Sequence, residues 1–340
     1  MKVDLSIACI NNTGREWKVR RRALLVLLFF LSGGGEAWSQ AGLQKIRIAY
    51  ASRGIYIMDL YIAKEKGFFR EDGLDAELVE VRSANIAVAA LVSGELEALG
   101  SIGAATRASQ LGMPLKVLAV TGHRPLFWLV SRPEYRSIPE LKGKTLGITT
   151  VNGTQHLAAA RLLRSGGLDA TTDLKTVVIG GAPTLLQALM NNSIQVTALS
   201  PPTILVARDR FKMNVLGDPP RDFVSMQGGF AVTEKLLAEK RDLVRRMMRS
   251  RTKGFKYFHE NEKDTSELLA KFMKLDLATT LETYRISDFA FTKNSILTDK
   301  EVEVLLKEDA RVLGLAQPVP GSKIFDFGVQ REVNQELGIP

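Results

Sequence analysis

Hydrophobic and polar positions beyond residue 43 fall into blocks of two periods. Residues 45–50 (KIRIAY) alternate one by one, as a half-buried strand does. Residues 57–66 repeat their apolar positions at three- and four-residue spacing and stop at Gly67, the pattern of an amphipathic helix. Residues 74–81 alternate again, and Ser83 suits the N-cap of a helix over 84–92 that ends at Gly94. A short buried strand (96–99), a small-residue loop (100–103), a helix (104–111) and a strand (115–121) follow. Strands alternating with helices of this length predict an α/β fold with mainly parallel sheets covered on both faces.

The alternation then breaks and restarts. Residues 126–130 (LFWLV) read as a short apolar strand, and 132–142 are polar with Pro133 and Pro139. Beyond them the pattern predicts strands at 144–149, 175–179 and 194–199, with helices at 154–165 and from Pro183 to Met190. Pro201 and Pro202 shape a loop, and residues 215–221 close the region in a proline-containing turn. Residues 228–232 (GGFAV) form a second short apolar strand, and from Glu234 onward the pattern is nearly all helical. One stretch is echoed: ALVSGELE at 90–97 lines up with ALMNNSIQ at 188–195, each ending a helix, turning and starting a strand. The echo predicts two lobes of common architecture.

The N-terminal region has a different character. Arg20-Arg21-Arg22 precedes the apolar run ALLVLLFFL (23–31), then glycines and the small-x-small pattern Ala37-Trp38-Ser39. This is the build of a secretory signal peptide over 1–39, cleaved near Ser39. The run is shorter than the roughly 20 apolar residues that a membrane span takes, which favours a cleaved signal over a retained anchor. The polar lead-in is long for such a signal, and the paired arginines also fit a route that exports folded proteins. The only cysteine, Cys9, lies within this segment, so the mature chain offers no disulfide, thiolate nucleophile or cysteine zinc site. It also lacks the cysteine on which a lipid anchor would be built. About 300 remaining residues suit two domains with separate cores.

The formal charge is +9, of which residues 1–39 carry +3. The remaining +6 is spread along the chain; its densest basic run, residues 235–253 with eight basic and two acidic groups, reads as a solvated helix face. No aromatic or helix-turn-helix reader accompanies it, so nucleic acid is not an expected partner.

Several stretches, in this order, carry a family resemblance. They are AKEKGFF (63–69) with EDGL (71–74) behind it, LVSGELE (91–97) leading into Gly100, and LKGKTLG (141–147) before Gly153-Thr154. A late FAV (230–232) and a closing FDF (325–327) to Leu337-Gly338 complete the set. With these the chain resembles the substrate-binding proteins of ABC importers, in the branch serving nitrate, alkanesulfonate, taurine and thiamine-pyrimidine ligands. The resemblance spans nearly all of 45–340. It departs where the family commonly has Asp, at Glu97 and Gln195, and it lacks the cysteine-rich motif of pyrimidine-forming relatives. It implies a type II periplasmic-binding-protein fold, with lobe 1 over 43–127 plus 229–340, lobe 2 over 128–228, and a hinge of two crossings. It further implies an extracytoplasmic, non-enzymatic protein that captures a small polar or anionic solute and delivers it to a membrane permease and its ATPase; separately from the resemblance, a monomer is expected. An enzyme on the same fold and a ligand-sensing module are the competing readings.

Candidate ligand contacts follow from loops that leave strand ends and from helix starts. They are Ser52 and Arg53 after the first strand, Ser83 and Asn85, then Ser101, Ile102 and Gly103. His123 after a strand, Gly153, Thr154 and Gln155 at a helix start, and Pro201 complete the set. Arg53 offers a bidentate fork. The glycines let a ligand approach the backbone, and the hydroxyls add donors, although each also suits a simple helix cap. His123, His156 and His259 are far apart with no His-x-x-x-His pairing, so neither a metal nor a cofactor is expected.

Overall fold

The structure, a computed structural model, describes residues 42–51, 53–81, 83–219 and 223–340. The expected signal segment 1–39 lies outside the described residues. Leu43–Pro340 hold together as one unit.

The first half builds β1 (Gln44–Tyr50), α1 (Met58–Glu65), α2 (Phe68–Glu71), β2 (Leu74–Glu80), α3 (Ala84–Ser93), β3 (Ala98–Ser101), α4 (Gly103–Gln110) and β4 (Leu115–Val120). Next come β5 (Trp128–Ser131), β6 (Thr145–Ile148), α5 (Thr154–Ser165), β7 (Lys175–Val178), α6 (Ala182–Met190), β8 (Val196–Leu199), α7 (Thr203–Phe211) and β9 (Asn214–Gly217). After β10 (Gly228–Thr233) the chain is helical: α8 (Glu234–Glu239), α9 (Arg241–Glu260), α10 (Glu262–Met273), α11 (Leu277–Ser287), α12 (Asp299–Leu313), α13 (Gly321–Ile324) and α14 (Gly328–Glu336). The strands form two five-stranded sheets, ordered β2-β1-β3-β10-β4 and β7-β6-β8-β5-β9. Together they make the two α/β lobes of a type II binding-protein fold.

Each sheet is mainly parallel, as expected, with one reversed strand. In the first, β10 runs antiparallel between β3 and β4; in the second, β5 runs antiparallel between β8 and β9. Each antiparallel strand follows directly after the chain passes from one sheet to the other, so it enters from the opposite end. The turn expected over 215–221 holds β9 in its first part, and α7 lies where no helix was expected.

The echo seen in sequence is structural. Arg47 pairs with Glu77, and Thr145 with Lys175; Ile48 pairs with Ala98, and Leu146 with Val196. Each residue and its counterpart are 98 positions apart. The same offset relates two reciprocal clasps. The Arg47 N–H donates to Glu97 Oε2 at 2.5 Å while the Glu97 N–H donates to the Arg47 carbonyl at 3.0 Å. The Thr145 N–H donates to Gln195 Oε1, and the Gln195 N–H to the Thr145 carbonyl, both at 3.0 Å. Glu97 and Gln195, the departures from the family pattern, thus satisfy the N–H of the residue just before β1 pairs with β3 at Ile48 and β6 pairs with β8 at Leu146.

Packing follows the strand period. Ile48 and Phe230 face one apolar cluster of the first sheet, while Ala49 and Ala231 face the other. Leu129 and Val130 likewise divide between the two clusters of the second sheet. A fifth cluster draws Leu126 and Trp128 of the passage between sheets against Phe255, Phe258 and Phe291.

Candidate functional site

A cavity of about 290 Å³ is lined from both lobes. From the first come Tyr50, Ala51, Arg53 and Tyr56 beyond β1, Ser101 ending β3, and Gly103, Ala104 and Arg107 of α4. From the second come Thr150, Gly153 and Thr154 between β6 and α5, and Ser200 and Pro201 beyond β8. Leu126, Met226 and Gln227 close it from the passages between sheets. The cavity therefore sits at the carboxyl ends of the parallel strands of both sheets, the crevice position of open α/β sheets. Gly103 and Pro201 are equivalent under the 98-residue offset, and both contribute to the wall.

Neither α4 nor α5 has a side-chain N-cap. Their first N–H groups lack helical acceptors and carry the positive end of the helix dipole, so they favour an anionic or strongly polar group. Ser101 Oγ accepts the Ala51 N–H at 3.0 Å, which ties the β1 loop to the end of β3. Tyr56 donates its hydroxyl to the Arg124 carbonyl at 2.6 Å, and burial pushes its pKa well above the ordinary value. It stays neutral and fixed in the wall. The wall glycines serve close packing within the protein: a Cβ at Gly103 would lie 3.0 Å from the Met226 carbonyl oxygen, and one at Gly153 would lie 2.6 Å from Thr150 Oγ1.

Of the residues singled out in sequence, Arg53, Ser101, Gly103, Gly153, Thr154 and Pro201 line this cavity. Ser52 lies outside the described residues. Ser83 and Asn85 are exposed at the start of α3, away from the lining, and Ser83 Oγ accepts the Ile86 N–H at 3.4 Å as a helix cap. Ile102 is fully buried in the apolar core. Gln155 turns inward: it accepts the Thr149 N–H at 3.1 Å and donates to Thr197 Oγ1 at 3.2 Å and the Ala198 carbonyl at 3.1 Å. Its amide braces the loop that carries Thr150 and Gly153 without lining the cavity. His123 lies beside Arg124, with Nδ1 4.0 Å from a Glu301 oxygen, and does not line the cavity either. The structure adds Arg107, Thr150, Ser200, Met226 and Gln227 to the wall.

The model of NMT1/THI5-like proteins matches residues 55–265. The chain belongs to the NMT1/THI5-like family. Among relatives of this NMT1/THI5-like chain, a Brucella abortus (strain 2308) protein named only as a binding protein is 25% identical over 256 residues, 74% of this chain and 76% of its own length. The riboflavin-binding protein RibY of Chloroflexus aurantiacus is 25% identical over 251 residues, 69% of this chain and 68% of its own. Among solved structures, the periplasmic aliphatic sulphonate binding protein SsuA of Escherichia coli superposes with a TM-score of 0.67 at 15% identity, covering 81% of this chain and 95% of that one. The desulfurization enzyme DSZB does so with a TM-score of 0.68 at 13% identity, covering 86% and 99%. The fold thus hosts both binding and catalysis, and the site has to decide between them.

All three histidines of the NMT1/THI5-like chain are held below the ordinary imidazole range, in each case chiefly by burial. For His123 the neighbouring Arg124 adds to this and Glu301 opposes it. His156 Nδ1 also accepts the Asn152 N–H at 3.0 Å, a bond that protonation would cost. Unfolded, each imidazole takes a proton near its usual pKa of about 6.5; folded, each resists until a lower pH. The unfolded state therefore binds more protons between the two values. Stability is full above the unfolded value and falls as pH drops toward the folded ones. A melting series from pH 7.5 to 5 should show a steadily falling Tm; a level profile across that range would contradict the assignment.

Proposed function

We propose that this chain is the exported solute-binding protein of an ABC importer, working as a monomer that captures a small polar or anionic solute between its lobes. In this reading residues 1–39 direct export. The lobes, about 43–127 with 229–340 and 128–228, hinge at the two passages between sheets and close on the solute, and the closed form passes it to a membrane permease. The observation that carries the reading is the cavity itself, walled by equivalent strand ends of both lobes and by the uncapped starts of α4 and α5. The described lining residues include no carboxylate, imidazole or thiol. Hydroxyls such as those of Ser101 and Thr154 line the cavity, but a hydroxyl nucleophile is activated by an adjacent base, and the lining supplies no carboxylate or imidazole for that task; N–H donors, hydroxyls and apolar walls suffice for capture. Among the described residues no helix is long and apolar enough to cross a membrane, which agrees with a protein that meets its permease from outside.

A solute that binds only the folded state must stabilise it, by about 2.7 kcal/mol at a hundred times its Kd. A thermal-shift screen of residues 40–340 against sulfonates, carboxylates, nitrate, bicarbonate, pyrimidines and riboflavin should therefore yield at least one compound that raises Tm by several degrees. The same compound should reduce the radius of gyration in solution scattering as the lobes close. Turnover of that compound by the purified protein would instead favour an enzyme.

A further inference from the structure

We propose that Arg107 selects the charge of the captured solute, presenting its terminal guanidinium nitrogens to an oxyanion inside the cavity, with Asp309 as the residue that positions it. This deepens the binding-protein reading and rests on it. Arg107 lines this cavity and also a small enclosed pocket behind it, and so does Thr154. A side chain of α4 and the first turn of α5 therefore meet the same volume from opposite lobes. Arg107 Nε donates to Asp309 Oδ1 at 3.1 Å, and Gln110 Nε2 donates to Asp309 Oδ2 at 3.3 Å. The Asp309 side chain is 9% exposed and that of Arg107 24%. Anchoring through Nε fixes the plane of the guanidinium. The two terminal nitrogens make no hydrogen bond among the described residues, and a planar fork of this kind matches a carboxylate, sulfonate or phosphonate.

The other cavity arginine is placed differently. Arg53 Nε is 3.4 Å from Glu80, its guanidinium lies 5.5 Å from the ring centre of Phe272, and half of its side chain meets solvent. Water and the existing partner weaken what it can offer an anion. At the Arg107 end, the uncapped start of α5 adds N–H donors across the cleft. An oxyanion bridging Arg107 and the first turn of α5 would draw the two lobes together, so the charge contact and closure are one event.

The test measures binding of propanesulfonate, benzoate and sulfate, and of the uncharged propanol and benzamide, to residues 40–340 by calorimetry and thermal shift. At least one anion should bind while its uncharged counterpart does not. Arg107→Gln alone leaves a buried carboxylate unpaired, so the working variant is Arg107→Gln with Asp309→Asn. It should melt close to the parent without ligand yet bind the anion at least about tenfold more weakly. Arg107→Lys, which restores charge without the fork, should recover only part. In an Asp309→Asn background the affinity lost through Arg107→Lys should be smaller than in the parent, because the fork is then no longer held in plane. An anion that binds the double variant as tightly as the parent overturns the inference. Uncharged compounds stabilising the parent as well as anions do would sink the inference and leave the binding-protein reading standing; stabilisation by no compound here or in the wider screen would sink both.

Discussion

Replacing Arg251 with methionine should lower the stability of the folded chain by about 3–5 kcal/mol, the cost of breaking a buried ion pair by removing one partner. Arg251 is fully buried on α9, and its Nε lies 2.9 Å from Oδ2 of Asp59, a buried residue of α1. Burial pushes the Asp59 carboxyl up and the Arg251 guanidinium down, each opposed by the attraction of the other. The geometry is not that of a strong pair. None of the three guanidinium nitrogens makes a well-directed hydrogen bond, although Phe255 lies with its ring centre 6.0 Å from the guanidinium carbon. Two charges have thus left water, and their mutual attraction is supplemented by a hydrogen bond, the Leu60 N–H donating to Asp59 Oδ1 at 2.8 Å. Removing one leaves the other uncompensated. Removing both, as Asp59→Leu with Arg251→Met, should cost little and can even stabilise. Urea denaturation of the two singles and the double separates these outcomes. Arg251→Met within about 1 kcal/mol of the parent, the usual limit for an exposed pair, would show that the pair meets water after all.

Much of the fold was legible because the strand and helix periods are strong between residues 45 and 199, and because the echo at 90–97 and 188–195 is part of a full 98-residue repeat. Carried further, the same offset would have placed α7: α4 moved by 98 positions falls on 201–208, and α7 spans Thr203–Phe211. The two prolines before it hid the helix, since they read as a loop that simply continues. The site was legible only where backbone position decided it. Loops after strands and helix starts led to Ser101, Gly103, Gly153, Thr154 and Pro201, all of which line the cavity. Direction of a side chain was not legible. Gln155 stands next to Thr154 at the same helix start, yet it points into the lobe and satisfies buried groups. Arg107 sits mid-helix, where an arginine ordinarily meets water, and the Asp309 that holds it is 202 residues away. No local pattern carries a contact of that separation.

Gly254→Val should be the most damaging substitution of a single small residue, with an expected loss of about 3 kcal/mol or more from forced overpacking. Gly254 lies on α9 one turn beyond Arg251, where α9 crosses α1. A Cβ there would stand 2.1 Å from the Asp59 carbonyl oxygen, 3.0 Å from the Ala63 nitrogen and 3.1 Å from the Ala63 Cβ. The first two are backbone atoms, so no rotamer relieves the overlap and the helices must move apart. Gly254→Ala gives the graded control. Helix propensity alone would make it more stable by about 1 kcal/mol, so any net loss measures the clash, and a gain of that size would show that the crossing has room. The consequence reaches the cavity. Ile55, Tyr56 and Ile57 line it, and they lead directly into α1 at Met58. Pushing α1 outward displaces that wall and stretches the Asp59–Arg251 contact together, so solute affinity and stability should fall in the same variants. In Arg251→Met with Asp59→Leu, by contrast, the crossing at Gly254 is kept, and affinity should hold near that of the parent.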